Sequence, residues 1–275
     1  MESQVGLLGY PLKHSVSSVF QQVAFDHFSL STRYVNLSVD PLRLPDVVAK
    51  LRQENFLGAN VTIPHKENII PLIDEPSDLV LSVGAVNTIL NSSGKLFGFN
   101  TDVDGFIDSL KLKLKLDLIN KNIVVIGAGG AAKAAIFGLC RENVGSVTVY
   151  NRTLERSKIL LTQFPDLCIA KNINDLQKAC ANSELIVNCT SVGMAHTDTE
   201  DASPINVEFI SEGSMVFDMV YNPIRTKLIK ECEKRKIKVA GGLWMLVYQG
   251  AKSFKIWTNK EAPVDLMYDA AIKAI

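Results

Sequence analysis

An excess of charge of either sign is missing from this 275-residue chain, in which Lys and Arg total 29 and Asp and Glu also total 29, for a formal net charge of zero. No basic block is present to follow a phosphate backbone or an anionic lipid face, so no nucleic acid and no membrane is expected as a partner, and small molecules remain. Cysteine is scarce as well. The five present (Cys140, Cys168, Cys180, Cys189 and Cys232) are odd in number, show no Cys-x-x-Cys spacing and stand mostly in apolar surroundings. That pattern excludes a disulfide framework, offers no metal site, and leads us to expect reduced thiols in a cytoplasmic protein. Long apolar runs are absent too: residues 123–140 come nearest, and glycines and Lys133 interrupt them, so no membrane span is expected. Residues 1–10 lack the basic stretch and following apolar run of a secretory signal. Neither a fixed-period repeat nor a low-complexity segment occurs.

What the chain does have is apolar content, 47% of its residues, enough for one large core or two smaller ones, and two domains are expected. Residues 5–8, 34–39 and 59–63 read as short strands with helical patterns at 17–28 and 45–54 between them, a βαβαβ alternation that predicts a parallel sheet. Residues 85–90 and 95–99, joined through Asn91-Ser92-Ser93-Gly94, read as a hairpin that adds an antiparallel edge. A helix over 104–116 is expected to lead into a second alternation, with strands beginning at 122 and at 146–150, 185–188, 215–219 and 238–239. Helical stretches at 131–142, 153–163, 173–181 and 225–235 separate them, and the tail, 243–258 and 263–275, reads as helical with no further strand to reach.

The second alternation carries the clearest motif. An apolar strand, 123–126, runs into Gly127-Ala128-Gly129-Gly130-Ala131-Ala132, which opens a helix. Gly127 permits the tight turn, Gly129 lets backbone approach a pyrophosphate, and Ala132 lets helix pack on strand, as in a dinucleotide site. The next strand ends in Asn151-Arg152-Thr153, with Arg156 a turn later, where an NAD enzyme places a carboxylate. Guanidinium groups pair with a 2′-phosphate and a carboxylate repels it, so NADP(H) is the expected cofactor; the alternative is a solvated helix start. Residues 188–194, which include Thr190, follow another apolar strand and suit a loop beside the cofactor, or a plain connecting loop.

In the first half, Asn60-Val61-Thr62-Ile63-Pro64-His65-Lys66 ends a buried strand in a hydroxyl, a proline and a lysine. A partly desolvated ammonium suits proton transfer, which makes Lys66 a candidate acid or base; the alternative is an ordinary surface lysine. Asp102, in Asn100-Thr101-Asp102, can hold that ammonium or simply cap the following helix. Ser15 and Ser17 follow the first strand, where two hydroxyls can grip a carboxylate, and Ser17 also suits a helix N-cap. His14 and Ser15 lack the elbow of a nucleophile pair.

Taken together, the chain resembles the shikimate dehydrogenase family. The resemblance is carried in order by Ser15-Val16-Ser17, the stretch ending in Lys66, Gly84-Ala85-Val86-Asn87-Thr88, the stretch ending in Asp102, the glycine turn at Gly127, Asn151-Arg152-Thr153, Met219-Val220-Tyr221-Asn222-Pro223, and Gly241-Gly242 through Gln249. It implies a two-domain α/β fold: a substrate-binding domain over residues 1–104 with a mainly parallel sheet, a Rossmann-type NADP domain over 105–242, and helices over 243–275 packing back on the first domain. It also implies reversible NADPH-dependent reduction of 3-dehydroshikimate to shikimate in aromatic amino acid (chorismate) biosynthesis, by a monomer or homodimer. Lys66 and Asp102 would be the catalytic pair, with Ser15, Ser17, Thr62, Asn87, Tyr221 and Gln249 on the substrate. Gly127, Ala128, Gly129, Gly130, Ala131, Asn151, Arg152, Thr153, Arg156, Thr190, Met219 and Gly242 would lie at the cofactor. Two departures stand out: the family's usual Pro after the second serine is Ser18 here, and its later His-Asn is Phe20-Gln21. Rival readings are a quinate-oxidising member of the family and a non-catalytic NADP-binding regulatory module.

Overall fold

The computed structural model describes every residue except Met1, Lys13, His14 and Pro165. The chain forms two compact units, one of Met1–Asp102 with Leu246–Ala274, the other of Val103–Met245 with Ile275. Each has a six-stranded sheet, in keeping with the expected two-domain α/β class.

In the first unit β1 (Ser3–Gly9), β2 (Thr32–Ser38) and β3 (Phe56–Val61) are parallel, with α1 (Val16–His27) and α2 (Leu44–Lys50) as crossovers. A short β4 (Glu75–Pro76) and the helix α3 (Asp78–Val83) come next, then the hairpin of β5 (Thr88–Ser92) and β6 (Lys95–Phe99). The order is β2-β1-β3-β5-β6-β4, so the hairpin does not itself form the sheet edge; β4 lies outside it, parallel to β6. The hairpin turn is also tighter than the four-residue link expected, because Ser92 pairs with Lys95. Only Ser93 and Gly94 remain between the strands, both at positive φ (52° and 84°), as a two-residue turn that matches strand twist demands.

The two-residue period of β3 sorts its side chains. Ala59 and Val61 join the core with Leu8, Val48 and Ile89, whereas Asn60 faces the other way, toward the tail. Gly58 is required there: at φ +155° a Cβ would collide with the Ile89 carbonyl and the Trp257 indole. The tail forms α9 (Leu243–Thr258) and α10 (Val264–Lys273). Within this unit Phe254 packs on Phe25 and Phe28, with ring centroids 5.1 and 5.8 Å apart. The departures noted in α1 have structural uses here. Ser18 donates its hydroxyl to the Ser15 carbonyl (2.8 Å), and buried Gln21 donates to the Gly250 carbonyl (2.9 Å), tying α1 to α9.

The second unit begins in α4 (Asp102–Asp108), which continues as a π-helical stretch, Ser109–Lys113, where one α-helix was expected. Its strands are β7 (Asn122–Ile126), β8 (Ser146–Asn151), β9 (Cys168–Asn172), β10 (Leu185–Asn188), β11 (Met215–Asp218) and β12 (Lys238–Gly241), all parallel. Between them lie α5 (Gly130–Arg141), α6 (Leu154–Leu161), α7 (Leu176–Cys180) and α8 (Lys227–Lys234). The order β12-β11-β10-β7-β8-β9 is that of a doubly wound dinucleotide fold. Both faces are buried: Ile123 and Val125 enter one core with Phe106 and Phe217, and Val124 and Ile126 enter another with Tyr150 and Ile186. That is why β7 reads as an unbroken apolar run and not as an alternation. Among the described residues no helix is long and apolar enough to cross a membrane.

Candidate active site

The first unit gathers polar groups at the C-terminal ends of β1 and β3. Leu7, Ser17, Asn60, Val61, Thr62, Lys66, Asn87, Asp102, Leu246 and Gln249 line a small cavity of about 80 Å³. Lys66 follows the cis Ile63–Pro64 bond, and its carbonyl accepts from the Val86 N–H at 2.8 Å, which anchors its backbone beside the approach to β5. Its Nζ donates to Asp102 Oδ2 at 2.7 Å, with the two side chains 31% and 16% exposed. Asn87 Nδ2 donates to Asp102 Oδ1 at 2.9 Å, so both carboxylate oxygens have a donor. The Asp102 N–H in turn donates to Asn100 Oδ1 at 3.1 Å. A half-buried ion pair beside hydroxyl and amide groups can deliver or take a proton at a bound polar molecule.

Asn87 is buried and fixed. Its Oδ1 accepts from the Thr101 N–H at 2.8 Å, and its Nδ2 also lies 3.2 Å from Gln249 Oε1. Gln249 donates through Nε2 to the Leu246 carbonyl, one turn back in α9. Of the expected substrate residues in this unit, Ser17, Thr62, Asn87 and Gln249 share the cavity with Lys66 and Asp102. Ser15 does not line it; its hydroxyl accepts from the Ser17 N–H at 3.2 Å as the N-cap of α1, a place expected for Ser17. His14 lies outside the described residues. Asn60, which lines the cavity, interlocks with Thr88, Thr101 and Ser253 behind it; the sequence assigns none of the four a role, because no local pattern relates residues so far apart.

In the second unit the expected cofactor residues stand at the C-terminal ends of parallel strands, where open α/β sheets bind ligands. Gly127 follows β7 at φ +113°, its N–H donates to the Tyr150 carbonyl, and a Cβ would press on the Cys189 carbonyl and Thr190 from 3.1–3.2 Å. Gly129 and Gly130 differ: a Cβ at either meets no protein atom within 4 Å. Protein packing therefore does not demand glycine at these two positions, and the open backbone leaves room for a ligand to approach it closely. Gly129 is the N-cap of α5 with no side-chain cap, leaving helix N–H groups for a phosphate. Ala128 and Ala131 flank this turn, half-buried and exposed. Asn151 ends β8 and donates to the Thr153 carbonyl at 2.9 Å; Thr153 is the N-cap of α6. Arg152 and Arg156 are exposed, and neither makes an ion pair among the described residues. This donor set fits a dinucleotide with an added phosphate.

Beyond β10 and β11, Asn188 Oδ1 accepts from both the N–H and hydroxyl of Thr190, fixing that loop. Gly242 follows β12 so closely against Met219 that a Cβ would strike the Met219 carbonyl. Tyr221, two residues past Met219, is 36% exposed. Asp218 is fully buried and accepts from Thr226 (2.6 Å), Asn188 (2.9 Å) and the Val220 N–H (3.1 Å). Burial pushes its carboxyl up from the ordinary range, and those three donors oppose the shift without cancelling it. A carboxyl raised by folding stabilises the fold while protonated, and that contribution is lost as pH rises through its folded value. Asp218→Asn is therefore expected to gain stability relative to the parent as pH rises from the carboxylate range to neutrality. Thermal unfolding of both proteins across that range checks it; a difference in Tm that does not grow with pH contradicts the assignment.

Comparison with known proteins covers most of the chain. A family model described as the shikimate dehydrogenase substrate binding domain matches residues 7–89, one described as shikimate / quinate 5-dehydrogenase matches 109–223, and one described as the shikimate 5′-dehydrogenase C-terminal domain matches 242–272. A curated relative, shikimate dehydrogenase (NADP(+)) of Geobacillus kaustophilus (strain HTA426), is 37% identical over 276 residues, spanning 100% of this chain and 99% of its own. The crystal structure of shikimate 5-dehydrogenase from Thermus thermophilus in complex with NADP(H) and shikimate is 34% identical, with a TM-score of 0.89 over 99% of this chain and 100% of that one. Quinate dehydrogenase from Corynebacterium glutamicum in complex with NAD is 25% identical, with a TM-score of 0.89 over 99% of both chains.

Proposed function

The chain belongs to the shikimate dehydrogenase family, and we propose that it performs the reaction of the shikimate pathway for which the family is named, the reversible NADPH-dependent reduction of 3-dehydroshikimate to shikimate. The observation that carries the mechanism is the Lys66–Asp102 pair at 2.7 Å in a cavity lined by hydroxyls and amides. When bound, NADPH supplies the hydride for the ring ketone. Lys66 protonates the oxygen as negative charge develops on it, and in the opposite direction takes the hydroxyl proton. Asp102 holds the ammonium toward the cavity, and Asn87 holds Asp102.

Residues 1–104 with the helices of 243–275 form the substrate side of the enzyme, and 105–242 its NADP side. Ser15, Ser17, Thr62, Asn87, Tyr221 and Gln249 grip the carboxylate and hydroxyls of the substrate, a role supported for four of them by their shared cavity. An analogue that leaves one of these buried groups unpaired is rejected by the cost of desolvating it. Gly127 through Ala131 receive the pyrophosphate, and Asn151, Arg152, Thr153 and Arg156 the 2′-phosphate. Thr190, Met219 and Gly242 lie beside the ribose and nicotinamide. The odd cysteine count supports a cytoplasmic enzyme.

An absorbance assay at the NADPH band tests this reading, with shikimate and quinate each offered NADP and NAD. Shikimate with NADP is expected to give the highest kcat/KM. Faster turnover of quinate would assign the chain to the quinate-oxidising branch instead, and no turnover of either would leave the regulatory module.

A further inference from the structure

We propose that Ser253, fully buried on α9, is a positioning residue that sets the orientation of the Asn87 amide and through it the Lys66–Asp102 pair. This inference rests on the proton-transfer role proposed for that pair. Ser253 does not line the cavity, although Asn60, Asn87 and Gln249 beside it do. Its hydroxyl meets four groups from four parts of the first unit. Asn60 Nδ2 donates to it at 3.0 Å, it lies 2.7 Å from Thr88 Oγ1 and 3.2 Å from Thr101 Oγ1, and the Gln249 carbonyl is 3.0 Å away within α9. A hydroxyl has one hydrogen and two lone pairs, and the three contacts beyond its own helix fill them when Ser253 donates to Thr88 and accepts from Asn60 and Thr101.

Each of the three groups it meets beyond its own helix touches Asn87. Asn60 Nδ2 donates to the Asn87 carbonyl (3.0 Å), Thr88 donates to Asn87 Oδ1 (3.0 Å), and Thr101 donates its N–H to the same Oδ1 (2.8 Å) while its hydroxyl oxygen accepts from Asn87 Nδ2 (2.9 Å). The Thr88 hydroxyl and the Thr101 N–H fix the side of the amide on which its oxygen lies. Its Nδ2 is thereby left facing Asp102 Oδ1 at 2.9 Å. The flipped amide would set an oxygen against the carboxylate and leave a backbone N–H without an acceptor. Ser253 holds Thr88 and Thr101 in the places that forbid the flip. The separations of 193, 165 and 152 residues from Ser253 to Asn60, Thr88 and Thr101 explain why no local sequence pattern marks it.

The test uses the full-length enzyme with shikimate and NADP. Ser253→Ala is expected to lower kcat about tenfold with the KM for NADP unchanged, and to raise the solvent deuterium isotope effect on kcat, because misplacement of the pair slows proton transfer in particular. A merely structural loss lowers the active fraction and leaves the isotope effect alone. Trp257→Phe supplies that comparison: the indole N–H, donating to the Ile89 carbonyl at 2.8 Å, also pins α9 to β5 but lies outside the network. It is expected to lower Tm and leave the isotope effect at the parent value. An unaltered isotope effect in Ser253→Ala, or an equal rise in Trp257→Phe, overturns the proposal. Should Ser253→Ala fail to fold, Ser253→Cys, close in size and a weaker hydrogen-bonding group, is read by the same isotope effect. An enzyme that turns over neither substrate, or a Lys66→Ala variant of near-normal rate, removes the underlying reading; an inactive Lys66→Ala beside an unchanged isotope effect in Ser253→Ala removes this inference alone.

Discussion

Lys66→Ala is expected to lower kcat by about 100 to 10,000-fold, the range that a positioned acid or base contributes. In barrier terms that is about 3 to 5 kcal/mol. The variant should fold, because Lys66 ends in a partly exposed side chain and its backbone bond to Val86 does not depend on the ammonium. Asp102 loses one of two donors and keeps Asn87. Binding of NADP should persist, since the residues assigned to it belong to the second unit. Lys66→Arg separates charge from proton transfer: it retains a cation able to pair with Asp102, yet a guanidinium does not give up its proton near neutrality. If Lys66 acts as acid and base, Lys66→Arg is nearly as slow as Lys66→Ala. A fast Lys66→Arg would show that positive charge alone suffices, and near-normal kcat in Lys66→Ala would remove Lys66 from the chemistry. Steady-state rates with saturating shikimate and NADP decide among these outcomes.

How far the chain could be read without its structure depended on how many faces of each element are buried. Leu185–Asn188 has neighbours on both sides and is buried at every position, so its apolar run marked both ends correctly. Cys168–Asn172 was missed. It is the sheet edge, pairs only with β8, and alternates between exposed and half-buried residues, so no apolar pattern distinguishes it from a loop. The helix Asp78–Val83 also passed unread, since six residues give barely two turns of periodicity; its visible marks are Ser77, whose hydroxyl accepts from the Val80 N–H, and Gly84 at φ 69°. The site divides in a similar way. Lys66 stood out because a strand delivered it, and Asp102 because its neighbours match a family pattern. The groups that orient them are joined only after the chain has folded: Thr101 is visible merely as a neighbour of Asp102, and Ser253 has no local signature.

Arg152→Asp is expected to shift the preference between NADP and NAD, measured as the ratio of kcat/KM values, by about 100-fold toward NAD, since one charge-assisted bond to phosphate is lost and a repelling carboxylate is introduced. The same carboxylate can accept from the ribose 2′-hydroxyl of NAD, so part of the change appears as a gain with NAD and not only a loss with NADP. The location argues against an incidental role for the arginines. Arg152 lies two residues before the start of α6 and Arg156 in its first turn, at the end where the helix dipole disfavours cations. Neither forms an ion pair with a carboxylate among the described residues, and Glu155 in the same turn pairs with Lys158, so no ion pair offsets that cost. On the function proposed above, a bound 2′-phosphate would offset it. It follows that Arg152→Asp should hold or raise Tm without ligand, because an anion before a helix start is favourable, while it weakens NADP. A loss of stability equal to the loss of NADP use would point to a structural arginine. An unchanged ratio of NADP to NAD would move phosphate recognition away from Arg152 altogether.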